Sequence, residues 1–168
     1  MSDSTKPAII PEQIHMLKVN LIKGNLDSED GFLANPVEPE GLEVNISNQF
    51  RFDLEEKRVL IRLTVNISGL NADKKPLGIT AAYALDFFFV VDNITDFITQ
   101  ENKDVKVADI LGATLLGISI STARGILLER THGTFFDGFM LPVVDPMKLL
   151  REQDSNIGST GKSSKKPG

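Results

Sequence analysis

From Leu42 the chain alternates apolar and polar side chains almost without a break. Leu42, Val44, Ile46, Phe50, Phe52 and Leu54 hold one parity; Glu43, Asn45, Ser47, Gln49, Arg51 and Asp53 hold the other. A period of two sends successive side chains to opposite faces, so this stretch can only be a strand with one face buried. After Glu55-Glu56-Lys57 the pattern resumes, with Val59, Ile61, Leu63, Val65 and Ile67 facing in and Arg58, Arg62, Thr64, Asn66 and Ser68 facing out. Two such strands across a short charged turn form an antiparallel hairpin. The break Asn71-Ala72-Asp73-Lys74-Lys75-Pro76 leads to a third run, Ile79, Ala81, Tyr83, Leu85, Phe87, Phe89 and Val91. Its opposite parity is also partly apolar, at Ala82, Ala84, Phe88 and Val90, which predicts deeper cover than for the other two. A weaker strand over residues 16–26 precedes them, with Leu17, Val19 and Leu21 on one face.

Beyond Asp92 the period changes. Residues 93–100 read as one or two helical turns, 107–129 as the principal helix, stopped near Gly133, and 145–153 as a short C-terminal helix. The fold class is therefore α+β: a four-stranded antiparallel sheet packed on a long helix and a short one. On a helical wheel the long helix carries two apolar stripes roughly 130° apart. Leu111, Leu115, Ile118 and Ile126 form one, and Leu116, Ile120, Ala123 and Leu127 the other. The remaining arc holds Ala113, Thr114, Gly117 and Ser121, which let another backbone approach closely. One sheet covers one stripe, so Leu116, Ile120, Ala123 and Leu127 are expected at an interface between copies of the chain. The alternative is burial beneath the short C-terminal helix.

Length and composition fit one domain. The chain has 168 residues, of which 41% are hydrophobic and 24% charged, enough to build a core. A net charge of −5 argues against nucleic acid or an anionic membrane as the main partner. Cysteine is absent, which excludes disulfides, a cysteine nucleophile and thiolate metal sites. With no apolar leader in residues 1–11, and a longest uncharged run of only residues 110–123, the expectation is a cytoplasmic protein that does not insert into membranes. Residues 1–11 read as a flexible N-terminus, 12–154 as the domain, and 155–168, rich in Ser, Gly and Lys, as a disordered basic tail.

Motifs that carry chemistry are missing or broken. Gly158-Ser159-Thr160-Gly161-Lys162-Ser163 resembles the end of a phosphate-binding loop, but Asn156 stands where its first glycine belongs. His15 and His132 are the only histidines and have no ligand partner at helical spacing. Gly117-Ile118-Ser119-Ile120-Ser121 fails the nucleophile-elbow pattern at its last position and lies within a helix. Asn45, Asn66 and Asn93 begin Asn-x-Ser/Thr triplets, which matter only in a secreted protein. The expectation is no enzyme, no metal and no cofactor.

Apolar residues in irregular stretches remain to be explained. Residues 25–41 hold Phe32-Leu33-Ala34 among acids and prolines, and Phe135, Phe136, Phe139 and Met140 follow the long helix. Such residues usually plug a core. Beside a helix with surplus apolar surface they also suit a groove for extended hydrophobic peptide.

The C-terminal third resembles the SecB family of export chaperones. The matching residues are Ile110-Leu111-Gly112, the apolar helix with Ala123-Arg124, then Arg130 and Gly133-Thr134-Phe135, and Leu141-Pro142-Val143-Val144-Asp145. Asn35-Pro36 and Pro39-Glu40 before the alternating strand are similar to that family's crossover segment. The resemblance implies a dimer of dimers that holds unfolded preproteins without ATP and delivers them to the SecA motor. It implies a client groove between crossover and helix, for which the candidates are Phe32, Leu33, Leu111, Leu115, Ile118, Phe135, Phe136 and Phe139. Asp86 falls where the family has an acidic motor-docking position.

Several positions depart from the family pattern. There is no tryptophan near the crossover, where Val37 or Glu38 stands instead. Ser121-Thr122 replaces Pro-Tyr in the helix, Phe136-Asp137 replaces Pro-Pro after the turn, and strand one offers Lys18 and Asn20 in place of an acid. Peptide holding is thus better supported than delivery to SecA. The leading expectation is an ATP-independent holdase for unfolded or nascent chains. The alternative is a SecB-like adaptor dedicated to one partner, such as an antitoxin.

Overall fold

The computed structural model describes residues 6–101 and 104–159, with 154–159 described by backbone alone. A single 3-10 turn, Pro11–Gln13, leads into β1 (Ile14–Ser28); α1 (Asp30–Ala34), β2 (Gly41–Asp53), β3 (Arg58–Leu70) and β4 (Pro76–Val91) follow. A second 3-10 turn, Ile94–Phe97, leads to β5 (Ile98–Glu101) and β6 (Asp104–Val107), then α2 (Asp109–Thr131) and α3 (Pro146–Ser159). The four long strands form one antiparallel sheet in the order β1-β4-β3-β2, as the alternation predicts. Because β1 and β2 lie on opposite edges, residues 29–40 must cross the sheet between them.

The register turns the sequence parity into two faces. Val59, Ile61, Leu63, Val65 and Ile67 of β3 oppose Phe89, Phe87, Leu85, Tyr83 and Ala81 of β4, and all of them are buried on the side that α2 covers. Strand β1 obeys the same rule only after two corrections. Register shifts between Met16 and Lys18 and between Leu21 and Lys23 each add a residue, so Leu17, expected beside Val19 and Leu21, is instead 63% exposed. A bulge inserts one residue into one strand and reverses the parity that follows.

Helix α2 corrects the interface expectation. Leu116, Ile120, Ala123 and Leu127 are buried inside this same chain, in one cluster with Leu111 and Leu115 from the other stripe. The alternative cover supplies the reason: α3 packs on α2 where side chains are missing. A Cβ on Gly112 would stand 3.2 Å from Leu150, and one on Gly117 3.3 Å from Pro146. The hydroxyls of buried Ser119 and Thr131 donate to the carbonyls of Leu115 and Leu127, each at 2.9 Å, so the helix accommodates them without orphaned polar groups. At 23 residues and a mean hydropathy of 1.6, α2 is long and apolar enough to cross a membrane by length and composition, which the count of uncharged residues missed. Here Leu111, Leu115, Leu116, Ile120, Ala123 and Leu127 are buried in the core, while Ile110 and Leu128 stay exposed.

Two further boundaries differ from expectation. Residues 93–100 are one 3-10 turn and then the short β5–β6 ladder, whose four-residue strands are too short and too polar to show a period. The helix expected at 145–153 continues through Ser159, so the backbone of 155–159 is helical and not part of a disordered tail. Residues 1–5 and 160–168, assigned above to the flexible N-terminus and the basic tail, lie outside the described residues.

Candidate functional site

At the end of the sheet where β1 finishes and β2 begins, Leu26, Ala81, Ile67 and Val44 lie in one cross-strand row on the core face. Ala81 and Ile67 are buried in the middle of that row, and Leu26 and Val44 at its edges line the groove. A groove of about 990 Å³ runs over this end, walled by the crossover at Glu38, Pro39 and Glu40 and by the turn after α2 at Phe135, Asp137 and Met140. Its volume is at the upper end of ordinary ligand clefts.

Hydrogen bonds build the turn after α2. The Thr134 hydroxyl donates to the Thr131 carbonyl at 2.7 Å and accepts from the Phe136 N–H at 3.0 Å, while the N–H groups of Asp137 and Phe139 reach the carbonyls of Thr134 and Phe136. Gly133 and Gly138 both adopt φ of +75°, a left-handed conformation that costs glycine nothing. These reversals sort three neighbouring aromatics: Phe136 and Phe139 tuck into the core, and Phe135 stays 40% exposed. Phe135 meets the crossover helix edge to face, its ring 4.9 Å from that of Phe32.

Arg124 of α2 fastens the far wall. Its guanidinium donates to the carbonyl of Leu141 at 2.9 Å and to that of Pro142 at 3.4 Å. Asp145 then caps α3, accepting from the Met147 N–H at 2.9 Å, with Pro146 at the first helical position. The conspicuous Ala-Arg and Leu-Pro-x-x-Asp sequences are thus the two halves of one clamp.

The charged groups of the groove lining, Glu38, Glu40 and Asp137, are all acidic. Asp137 Oδ1 lies 3.1 Å from His132 Nδ1; that hydrogen bond first, then those from the N–H groups of Gly133 and Gly138, hold the carboxyl below its usual value. A depressed carboxylate supports the turn above its ordinary range, near pH 3.9, and the support fades as pH falls through the lower folded value.

The predicted peptide residues divide sharply. Leu111, Leu115 and Phe32 are core side chains, and Phe136 and Phe139 are buried too, forming the groove floor with the few atoms that reach it. Ile118 is half-buried against the core, and Leu33 is 59% exposed on α1 but does not line the groove. Only Phe135 of the set is a substantially exposed lining residue. Sequence reasoning missed Leu42, because inward parity predicted burial, and Leu26, because the register shift between Leu21 and Lys23 brings it onto the face that parity denied it. Met140, 54% exposed, follows the same turn and lines the groove with Phe135.

Asp86 is 6% exposed on the opposite face of the sheet, where both of its oxygens accept from Arg62, at 2.7 and 2.8 Å. This bidentate pair raises the Arg62 pKa further and holds the nearly buried carboxylate against the sheet. His15 pairs with Asp92, and among the described residues no cluster of His, Cys, Asp or Glu could hold a metal ion.

No family model matches the sequence, and no curated protein does. The fold is similar to that of the SecB-like chaperone of Mycobacterium tuberculosis, solved in complex with a ChAD peptide from the HigA1 antitoxin. The TM-score is 0.53 at 11% identity, over 79% of this chain and 91% of that one. This is a SecB-like fold. A protein of unknown function from Streptococcus agalactiae also aligns, at a TM-score of 0.40 and 10% identity over 77% of this chain and 97% of that one, too low to carry an argument.

Proposed function

We propose that the chain is a SecB-like, ATP-independent polypeptide-binding protein that holds an extended apolar segment in the groove between the crossover and the turn after α2. The observation that carries the reading is the groove itself: a cleft of about 990 Å³ floored by buried aromatics, with Phe135, Met140, Leu26 and Leu42 left exposed in its lining. Apolar burial is non-directional and worth about 25 cal/mol per Å², so such a lining can hold different sequences without a fixed hydrogen-bond code. The acidic walls favour clients with basic residues beside the apolar ones. The likeness in fold to a chaperone whose structure holds an antitoxin peptide supports the reading, and equally admits a protein dedicated to one such client.

Self-association belongs to the reading, but not through the stripe first expected to mediate it. Met16 and Ile22, two of the four exposed large apolar residues of the edge strand β1, are the surface it would use. Sedimentation of Ile22→Asp against the parent tests this, a lower mass being expected. Delivery to a SecA-type motor is no part of this reading, which rests on the groove alone.

The deciding experiment follows aggregation of several unrelated unfolded proteins with and without this protein, and repeats it with ATP. Suppression of all of them, unchanged by ATP, fits a general holdase. Suppression of one alone fits the dedicated binder, and suppression of none removes the proposal.

A further inference from the structure

The face of the sheet turned away from α2 should be polar from end to end, and at one end it is not. Lys18, Phe88, Leu60 and Arg51 form a single cross-strand row over all four strands, with an aromatic and a leucine in the middle and a cation at each edge. With strands about 4.8 Å apart, the two cations are about 14 Å from each other. The next row toward the strand ends adds Arg58, and the bulge at Leu17 sets another exposed apolar side chain against the same spot. These residues surround a depression of about 420 Å³, whose only acidic lining residue is Asp53. Arg58 lies 3.7 Å from the exposed Glu56, an arrangement that solvent screens.

We propose that this depression is a second polypeptide site, one that takes an acidic segment carrying an apolar or aromatic anchor from a partner protein. Charge complementarity selects that occupant. The chain as a whole is at −5 and the client groove is walled by acids, yet this pocket gathers Lys18, Arg51 and Arg58 around apolar ground. An anchor side chain seated on Phe88 and Leu60 would place flanking carboxylates within reach of Lys18 on one side and Arg51 on the other. The same cations would repel the basic segments that the groove favours, so the two faces sort partners by sign.

The test uses the full chain and fluorescein-labelled peptides with two phenylalanines in a run of glutamates, in a run of lysines, or with the phenylalanines changed to serine. Anisotropy should show the Glu-Phe peptide binding more tightly than either control, with an affinity that falls as salt rises. Arg51→Glu combined with Arg58→Glu, both exposed and safe for folding, should weaken it about tenfold. Leu60→Ser should weaken it without added charge, and Phe135→Ser in the groove should leave it unchanged. The proposal is overturned if the Glu-Phe peptide binds no better than its controls, if the charge reversal has no effect, or if Phe135→Ser abolishes binding. A drop in sedimentation mass for the charge-reversed variant would equally overturn it, by showing that the face pairs two copies. Suppression of client aggregation is a separate readout, so either site can fail alone.

Discussion

Two single side chains report on the core more directly than any others. Tyr83 is the only tyrosine, in a chain without tryptophan, and it is buried on the sheet's core face. Desolvation raises its pKa, against a smaller lowering from Arg130. A raised folded pKa means that the protonated ring's contribution is complete below the unfolded value, about 10, and is lost as pH rises through the folded value. An alkaline titration followed by ultraviolet absorbance should therefore show one phenolate transition above 10, coincident with loss of secondary structure by circular dichroism. The second side chain is Asn48, buried on the core face of β2, where its amide nitrogen reaches no acceptor among the described residues. An unsatisfied buried donor costs about 1–3 kcal/mol, so Asn48→Leu should raise the melting temperature. A fall would mean that Asn48 has a role outside this chain's own fold, such as at a contact between copies.

Among the elements, α2 and α3 share a contact that depends on missing atoms. Alanine at Gly117 would set a 3.3 Å contact with Pro146 against the helix propensity it adds, and those effects oppose each other. Leucine has no such offset. Gly117→Leu should displace α3, cost about 1–3 kcal/mol, and speed proteolysis between residues 140 and 146. Ile120→Asp tests the helix's inner side: it places an unpaired charge in the core, so the variant should lose about 4 kcal/mol or more and unfold. A folded variant of reduced mass would instead return Ile120 to an interface between copies.

Over the whole molecule, the aromatics once grouped as a client surface separate into two functions. Phe32→Ser with Phe136→Ser removes two core side chains and should destabilise by about 3 kcal/mol or more, whatever it does to clients. Phe135→Ser with Met140→Ser removes two partly exposed groove residues and the edge-to-face contact with Phe32, but no fully buried side chain. That variant should keep its melting temperature within a few degrees while losing most of its ability to hold an unfolded client. If holding survives in the second variant, the groove is not where clients sit.

The four long strands, the parity of β2, β3 and β4 and the existence of a long helix were legible in the sequence, because a period of two or of 3.6 is written in the identity of each residue and needs no partner to be read. The clamp around Arg124 was legible as a motif but not as a contact, since its carbonyl acceptors belong to residues 141 and 142 and a carbonyl has no sequence signature. Only the tertiary structure decided that both stripes of α2 are covered within one chain, that Leu17 leaves the face its parity assigns, and that Phe135 is exposed while Phe136 is buried. Each of these turns on a single extra residue in a strand, a left-handed glycine in a turn, or a glycine that admits a second helix. Such features place one segment against another across long sequence separations, and hydrophobic pattern does not encode that placement.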